Sequence, residues 1–130
     1  MFFKIDPSDD LAIYDQLVRQ MKFAVASQVI KPGELVPSVR ELARGLTINP
    51  NTVARAYREL QAATVLETVR GTGLCVSAGA DERCRAERVA LIRARLRQVF
   101  AEAYQSRLER DQIRSLVDEE LAALEQQQEA

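Results

Sequence analysis

The chain contains no histidine, and only two cysteines, Cys75 and Cys84. Without histidine, most zinc chemistry and the Ser-His and Cys-His nucleophile pairs are excluded. Two cysteines are too few for a disulfide scaffold. No paired carboxylates lie on a recognisable catalytic frame. The segment Arg70-Gly71-Thr72-Gly73 lacks the Gly-Lys-Ser/Thr ending and following helix of a phosphate loop. The expectation is therefore a protein that is not an enzyme and that uses no cofactor or metal. No apolar run approaches the length of a membrane span. The opening Met1-Phe2-Phe3-Lys4-Ile5-Asp6 has no signal-peptide core. A cytoplasmic protein that does not engage a membrane is expected. An excess of positive charge is also missing. The net charge is −1, which argues against coating nucleic acid by charge alone.

What is present is more telling. Apolar residues make up 47% of the 130 residues, enough for a real core. Residues 1–78 carry 9 basic and 8 acidic side chains, while residues 79–130 carry 9 basic and 11 acidic. Any nucleic-acid affinity must then come from charges gathered on one face of the first part. Arginine outnumbers lysine 15 to 3. That suits bidentate contacts to guanine or phosphate, although genome base composition suffices to explain the ratio.

Residues 10–30 read as an amphipathic helix, with Ile13, Leu17, Met21, Ala24 and Val25 at helical spacing and Tyr14 and Val18 alongside. Ser8, Asp9 or Asp10 can cap its start, and Lys31-Pro32-Gly33 stops it. A second, short helix follows Ser38, which forms a capping box with Glu41. Gly45 is expected to end it. Leu46-Thr47-Ile48 makes a turn. Asn49 then caps a third helix with Pro50 at its first position. Val53, Ala56, Tyr57 and Leu60 form one face of it, and Asn51, Thr52, Arg55 and Arg58 lie away from that face. Strands over Leu66 to Arg70 and Leu74 to Ser77 meet at Gly71-Thr72-Gly73, where the glycines supply positive φ. Ala78-Gly79-Ala80 suggests a hinge. Two further helices follow. One carries Val89, Ile92, Leu96, Val99, Phe100 and Ala103. The other carries Ile113, Leu116, Val117, Leu121 and Leu124, with a break near Ser106 to Asp111.

The fold class expected is mainly α. Residues 1–78 form a winged helix-turn-helix, with three helices and a small β-hairpin wing. Residues 79–130 form two dimerisation helices. In this arrangement the second helix of the pair reads base edges in the major groove. Asn51, Thr52 and Arg55 are the reading candidates, since Asn suits adenine, Arg suits guanine and the Thr methyl can touch thymine. Ser38 begins a helix whose N–H groups can meet a phosphate. Arg40 can reach phosphate or base, and Arg58 the backbone. Arg70, Gly71 and Thr72 put the wing tip at the minor groove. Asn49 serves first as a cap. Arg44 and Arg58 are expected to be solvated or paired with Glu41 and Glu59.

Two striped helices cannot bury both stripes alone, so Val89, Ile92, Leu96, Val99, Phe100, Leu116, Val117 and Leu121 are assigned to a homodimer interface. The intramolecular alternative packs the stripe Val89 to Ala103 against the first helix. The run Arg83, Arg85, Arg88 is expected to be a solvated face balanced by Glu82, Glu87 and Glu102. Cys75 reads as a buried thiol and Cys84 as more exposed.

These motifs, in this order, resemble the GntR superfamily of bacterial transcription regulators, and within it the small YtrA-like subgroup. The matching residues are Ile13-Tyr14-Asp15-Gln16-Leu17, Pro32-Gly33-Glu34, Pro37-Ser38-Val39-Arg40-Glu41-Leu42-Ala43, Asn49-Pro50-Asn51-Thr52-Val53, Ala56-Tyr57-Arg58-Glu59-Leu60 and Arg70-Gly71-Thr72-Gly73. The resemblance implies DNA contacts at Arg40, Thr52, Arg70 and Gly71. It also implies a homodimer made by the C-terminal helices and a repressor of transporter operons. A two-fold dimer calls for a pseudo-palindromic double-stranded operator. An unidentified small-molecule effector in the dimer cleft is left open, because no polar cluster points to one. The mild charge of the first part favours the alternative, a winged-helix protein-interaction module without DNA binding. The sequence departs from the family at Gln28 and Thr64, where Gly is usual, at Val36, and at Leu74-Cys75. A positive φ at Thr64 would cost on the order of a kcal/mol.

Overall fold

The apolar spacing of the first seventy-odd residues resolves into three helices and a hairpin. The structure, a computed structural model, describes residues 3–129. Helix α1 spans Ile13–Ala26, α2 Val39–Leu46 and α3 Pro50–Ala62. Strands β1 (Leu66–Val69) and β2 (Gly73–Val76) pair antiparallel, with Leu66 opposite Val76 and Val69 opposite Gly73. Helices α4 (Ala80–Gln105) and α5 (Arg110–Glu129) complete the chain.

Helix α1 starts later than expected. Its N-cap is Ala12, and no side chain caps it. The anticipated caps are used elsewhere. Ser8 donates to Asp6 Oδ1 through both its N–H and its hydroxyl, and Asp9 Oδ1 accepts from the Leu11 N–H. Short polar side chains that bond their own backbone make turns rather than helix. The first turn of α1 is anchored by Gln16 instead. This buried side chain donates to the Asp6 and Leu11 carbonyls, both at 2.9 Å, and accepts from the Asp6 N–H.

Helix ends also differ from expectation. Helix α1 stops at Ala26, before Lys31-Pro32-Gly33, and α2 runs through Gly45 to Leu46. Gln28, Thr47, Thr64 and Arg107 hold left-handed φ values of 60°, 56°, 59° and 65° just beyond α1, α2, α3 and α4. At each, the next N–H reaches back to a carbonyl five residues earlier: Val29 to Ala24, Ile48 to Ala43, Val65 to Leu60 and Leu108 to Ala103. These are Schellman turns built without glycine. The residue after each left-handed position is apolar. That suits the hydrophobic contact which accompanies this motif.

The capping box at Ser38 and the Asn49 cap with Pro50 at the first helical position form as the sequence requires. The hairpin tip takes positive φ at Gly71 and Gly73. Its strands each end one residue short of the expected Arg70 and Ser77. Leu35 adds a bridge to Cys75, so the segment before α2 lies along β2.

Leu17, Met21 and Val25 of α1, Leu42 of α2, Val53 and Leu60 of α3, Leu66 and Val76 fill the core. Phe3 joins it, as does the Cys84 thiol. Cys84 is buried, against expectation, because the first turns of α4 pack on α1. There Lys22 pairs with Glu87 at 3.2 Å, and the Arg88 guanidinium lies 4.7 Å from the Phe23 ring centroid. Arg83 donates to the Thr64 and Ala78 carbonyls. Arg83 and Arg88 of the basic run that opens α4 are thus engaged, while Arg85 is exposed. Both cysteines are free and buried. Burial pushes the Cys84 thiol up, with Glu87 adding to the effect.

By its contacts the chain divides into Met1–Val89 and Ala90–Ala130, a division that falls within α4. In the second unit the break between helices falls at residues 106–109, within the expected span. Helix α5 buries no residue. Ile92, Leu96 and Val99 are about half exposed, at 45%, 45% and 56%.

Candidate nucleic-acid interface

The reading helix is positioned by one face. Val53, Ala56, Tyr57 and Leu60 are all at most 3% exposed. At 3.6 residues per turn, Asn51, Arg55 and Arg58 then fall on the opposite side. All three are exposed, while Thr52, between the two faces, is half-buried. The angle between α3 and α2 is pinned by a specific bond. The Tyr57 hydroxyl donates to the Pro37 carbonyl at 2.7 Å, directly before the Ser38 cap. Burial, with Glu41 nearby, holds this phenol far above its ordinary value, so it remains a donor at any physiological pH.

Ser38 Oγ accepts the Glu41 N–H at 3.1 Å, and the Ser38 N–H donates to Glu41 Oε1 at 3.4 Å. The N-terminus of α2 is thereby set, with Arg40 exposed on its first turn. Thr72 and Gly73 of the wing turn line one cleft with Ser38, Val39 and Tyr57. The structure therefore brings the wing and the start of α2 together. Arg70, Gly71 and Thr72 are exposed at the tip. Asn49 Oδ1 is occupied by the Asn51 N–H at 2.8 Å, as a cap.

Among the described residues the one ion pair is Lys22–Glu87. Of the two states expected for Arg44 and Arg58, the solvated one holds: both are exposed, and neither pairs with Glu41 or Glu59. Cations without an acidic partner keep their charge available for phosphate. Arg55 differs. Its guanidinium carbon sits 3.6 Å from the centroid of the Tyr14 ring on α1. Sequence reasoning placed Tyr14 beside the apolar stripe and missed this role. The contact joins residues 41 positions apart in the chain, so no local pattern signals it.

A helix pair with a capped, outward-facing reading helix and a glycine-tipped hairpin beside it defines a winged helix-turn-helix regulator. Residues 13–76 match the family described as bacterial regulatory proteins, gntR family. The chain is 35% identical over 116 residues to the HTH-type transcriptional repressor YtrA of Bacillus subtilis, covering 89% of each. A transcriptional regulator from Oenococcus oeni has a similar structure, with a TM-score of 0.79 and 34% identity, over 92% of this chain and 99% of that one. A GntR family transcriptional regulator from Listeria monocytogenes gives 0.65 and 31%, over 86% and 97%. The chain belongs to the GntR family of DNA-binding transcription regulators, and within it to the YtrA type.

Proposed function

We propose that this regulator is a repressor that binds a pseudo-palindromic operator as a homodimer. Residues 1–78 read DNA and residues 79–130 dimerise. One observation carries the reading: Asn51, Arg55 and Arg58 are exposed on the side of α3 opposite a fully buried stripe. Asn51, Thr52 and Arg55 contact base edges. Arg40 and the start of α2 at Ser38 meet the phosphate backbone, with Arg58 further out. Arg70, Gly71 and Thr72 lie at the minor groove.

Repression is supported by the Bacillus subtilis relative, a transcriptional repressor. Dimerisation is supported by the exposed Val89, Ile92, Leu96, Val99, Leu116, Val117 and Leu121. An apolar surface of this extent is the usual mark of an interface. Two-fold symmetry then sets the half-sites roughly one helical turn, or a multiple, apart. By resemblance to its subgroup, the controlled genes form a transporter operon, and the protein acts in the cytoplasm.

The test is to select duplexes from a random library with the full chain, then titrate the enriched duplex at roughly 50 and 200 mM salt. Affinity should fall steeply as salt rises. Arg40→Ala and Arg55→Ala should each cost roughly 1–3 kcal/mol. Failure to enrich any duplex, or binding that ignores salt, would overturn the reading.

A further inference from the structure

Arg55 is the only one of the proposed DNA-contacting arginines with an aromatic partner among the described residues. An arginine on a solvated helix face samples many rotamers, and each must be given up when it meets a base. Here the guanidinium carbon is 3.6 Å from the Tyr14 ring centroid, well within the range of a cation–π contact. Tyr14 itself is partly buried and packs against the core. Tyr14 lies in the first turn of α1, which has no side-chain cap. Buried Gln16 ties that turn to Asp6 and Leu11 through three hydrogen bonds. One turn later, the Gln20 amide pairs with both the N–H and the carbonyl of Lys4, at 2.8 and 2.6 Å. Two glutamines four residues apart thus clasp the chain before α1, and the turn bearing Tyr14 is fixed against the core.

We infer that Tyr14 is the positioning residue for Arg55: its ring pre-sets the guanidinium on the reading helix and so determines how sharply Arg55 discriminates its base pair. The inference rests on the DNA-reading function proposed above. A preset side chain loses less freedom on binding, and the gain appears only where its donors meet the right base. The ring acts as a platform, and the Tyr14 hydroxyl is not required.

The test is a double-mutant cycle on the full chain. It uses the duplex enriched from the random library, the same duplex changed at each base pair in turn, and an unrelated duplex of equal length. Tyr14→Leu should weaken the enriched duplex by about 3- to 30-fold, the span of a cation–π contact. It should leave the unrelated duplex unchanged. It should also flatten discrimination at the same base pair as Arg55→Ala. In the Arg55→Ala background it should have no further effect. Tyr14→Phe, which keeps the ring, should stay within about 2-fold of the parent. Should Tyr14→Leu not fold by circular dichroism, Tyr14→Met takes its place in the cycle. Equal losses on all duplexes, full additivity with Arg55→Ala, or a Tyr14→Phe loss as large as that of Tyr14→Leu would overturn the assignment while leaving the DNA-reading function intact. If the parent protein enriches no duplex, both fall together.

Discussion

The two units of this chain spend their apolar residues differently. In the first, Leu17, Met21, Leu42, Val53 and Leu60 are at most 1% exposed and lock three helices to a hairpin. In the second, α5 has no buried residue at all, although Leu116, Val117, Leu121 and Leu124 recur at helical spacing. Helical periodicity is therefore no guide to intramolecular burial. The same pattern closes a core in one unit and leaves a half-exposed apolar face in the other.

The largest expected effect breaks this contrast directly. Leu96→Glu combined with Leu121→Glu would put four unpaired carboxylates into the proposed homodimer interface. Each buried, unpaired charge costs several kcal/mol, so dimerisation should weaken by on the order of 5 kcal/mol or more. Sedimentation at micromolar concentration should give a monomer. Operator affinity should fall by about 10²–10⁴, the loss of linked half-site binding. Far-UV circular dichroism of the first unit's helices should be retained. An unchanged dimer would show that the exposed stripes serve something else.

Leu60→Ala probes the closed unit and should act in the opposite manner. Leu60 is 1% exposed among Val53, Ala56 and Tyr57. Truncation of such a leucine costs about 2–5 kcal/mol. Chemical denaturation should lose that amount in stability, and the loss should not depend on protein concentration over the range where Leu96→Glu, Leu121→Glu shifts the assembly. If Leu60→Ala instead dissociated a folded dimer, the division of roles between the units would be wrong.

How much of this was legible beforehand follows the range of the interactions. The Ser38–Glu41 box, the Asn49–Pro50 start, the Gly71 and Gly73 turn and the break at residues 106–109 are built from residues within four positions of one another. All of them were readable. The late start of α1 was not, because Asp6 and Asp9 bond their own loop and Gln16 replaces the cap from inside the helix. Neither was the burial of Phe3 and Cys84, which depends on where distant elements pack. Of the interface, the exposed face of α3 followed from the buried one by periodicity. The Tyr14–Arg55 contact, joining two helices, did not.

The smallest predicted effect has the opposite sign and tests the glycine-free helix ends. Thr64 sits at φ 59°, where a β-branched side chain is strained, at the turn that leads from α3 into β1. The turn is kept because it is held from both sides. The Val65 N–H bonds the Leu60 carbonyl at 2.8 Å, Val65 itself is buried, and Arg83 donates to the Thr64 carbonyl. None of these bonds uses the Thr64 side chain, whose hydroxyl only returns to the neighbouring Ala63 carbonyl. Thr64→Gly therefore removes strain without removing a tertiary contact. Part of the gain is offset by the greater freedom of glycine in the unfolded chain. A net stabilisation of about 0.5–1 kcal/mol remains, equivalent to a rise of about 2–8 °C in Tm. Duplex affinity should not change, because the wing is already placed by the turn that Thr64 adopts. A fall in Tm would mean that the hydroxyl contributes more to this helix end than its left-handed backbone costs.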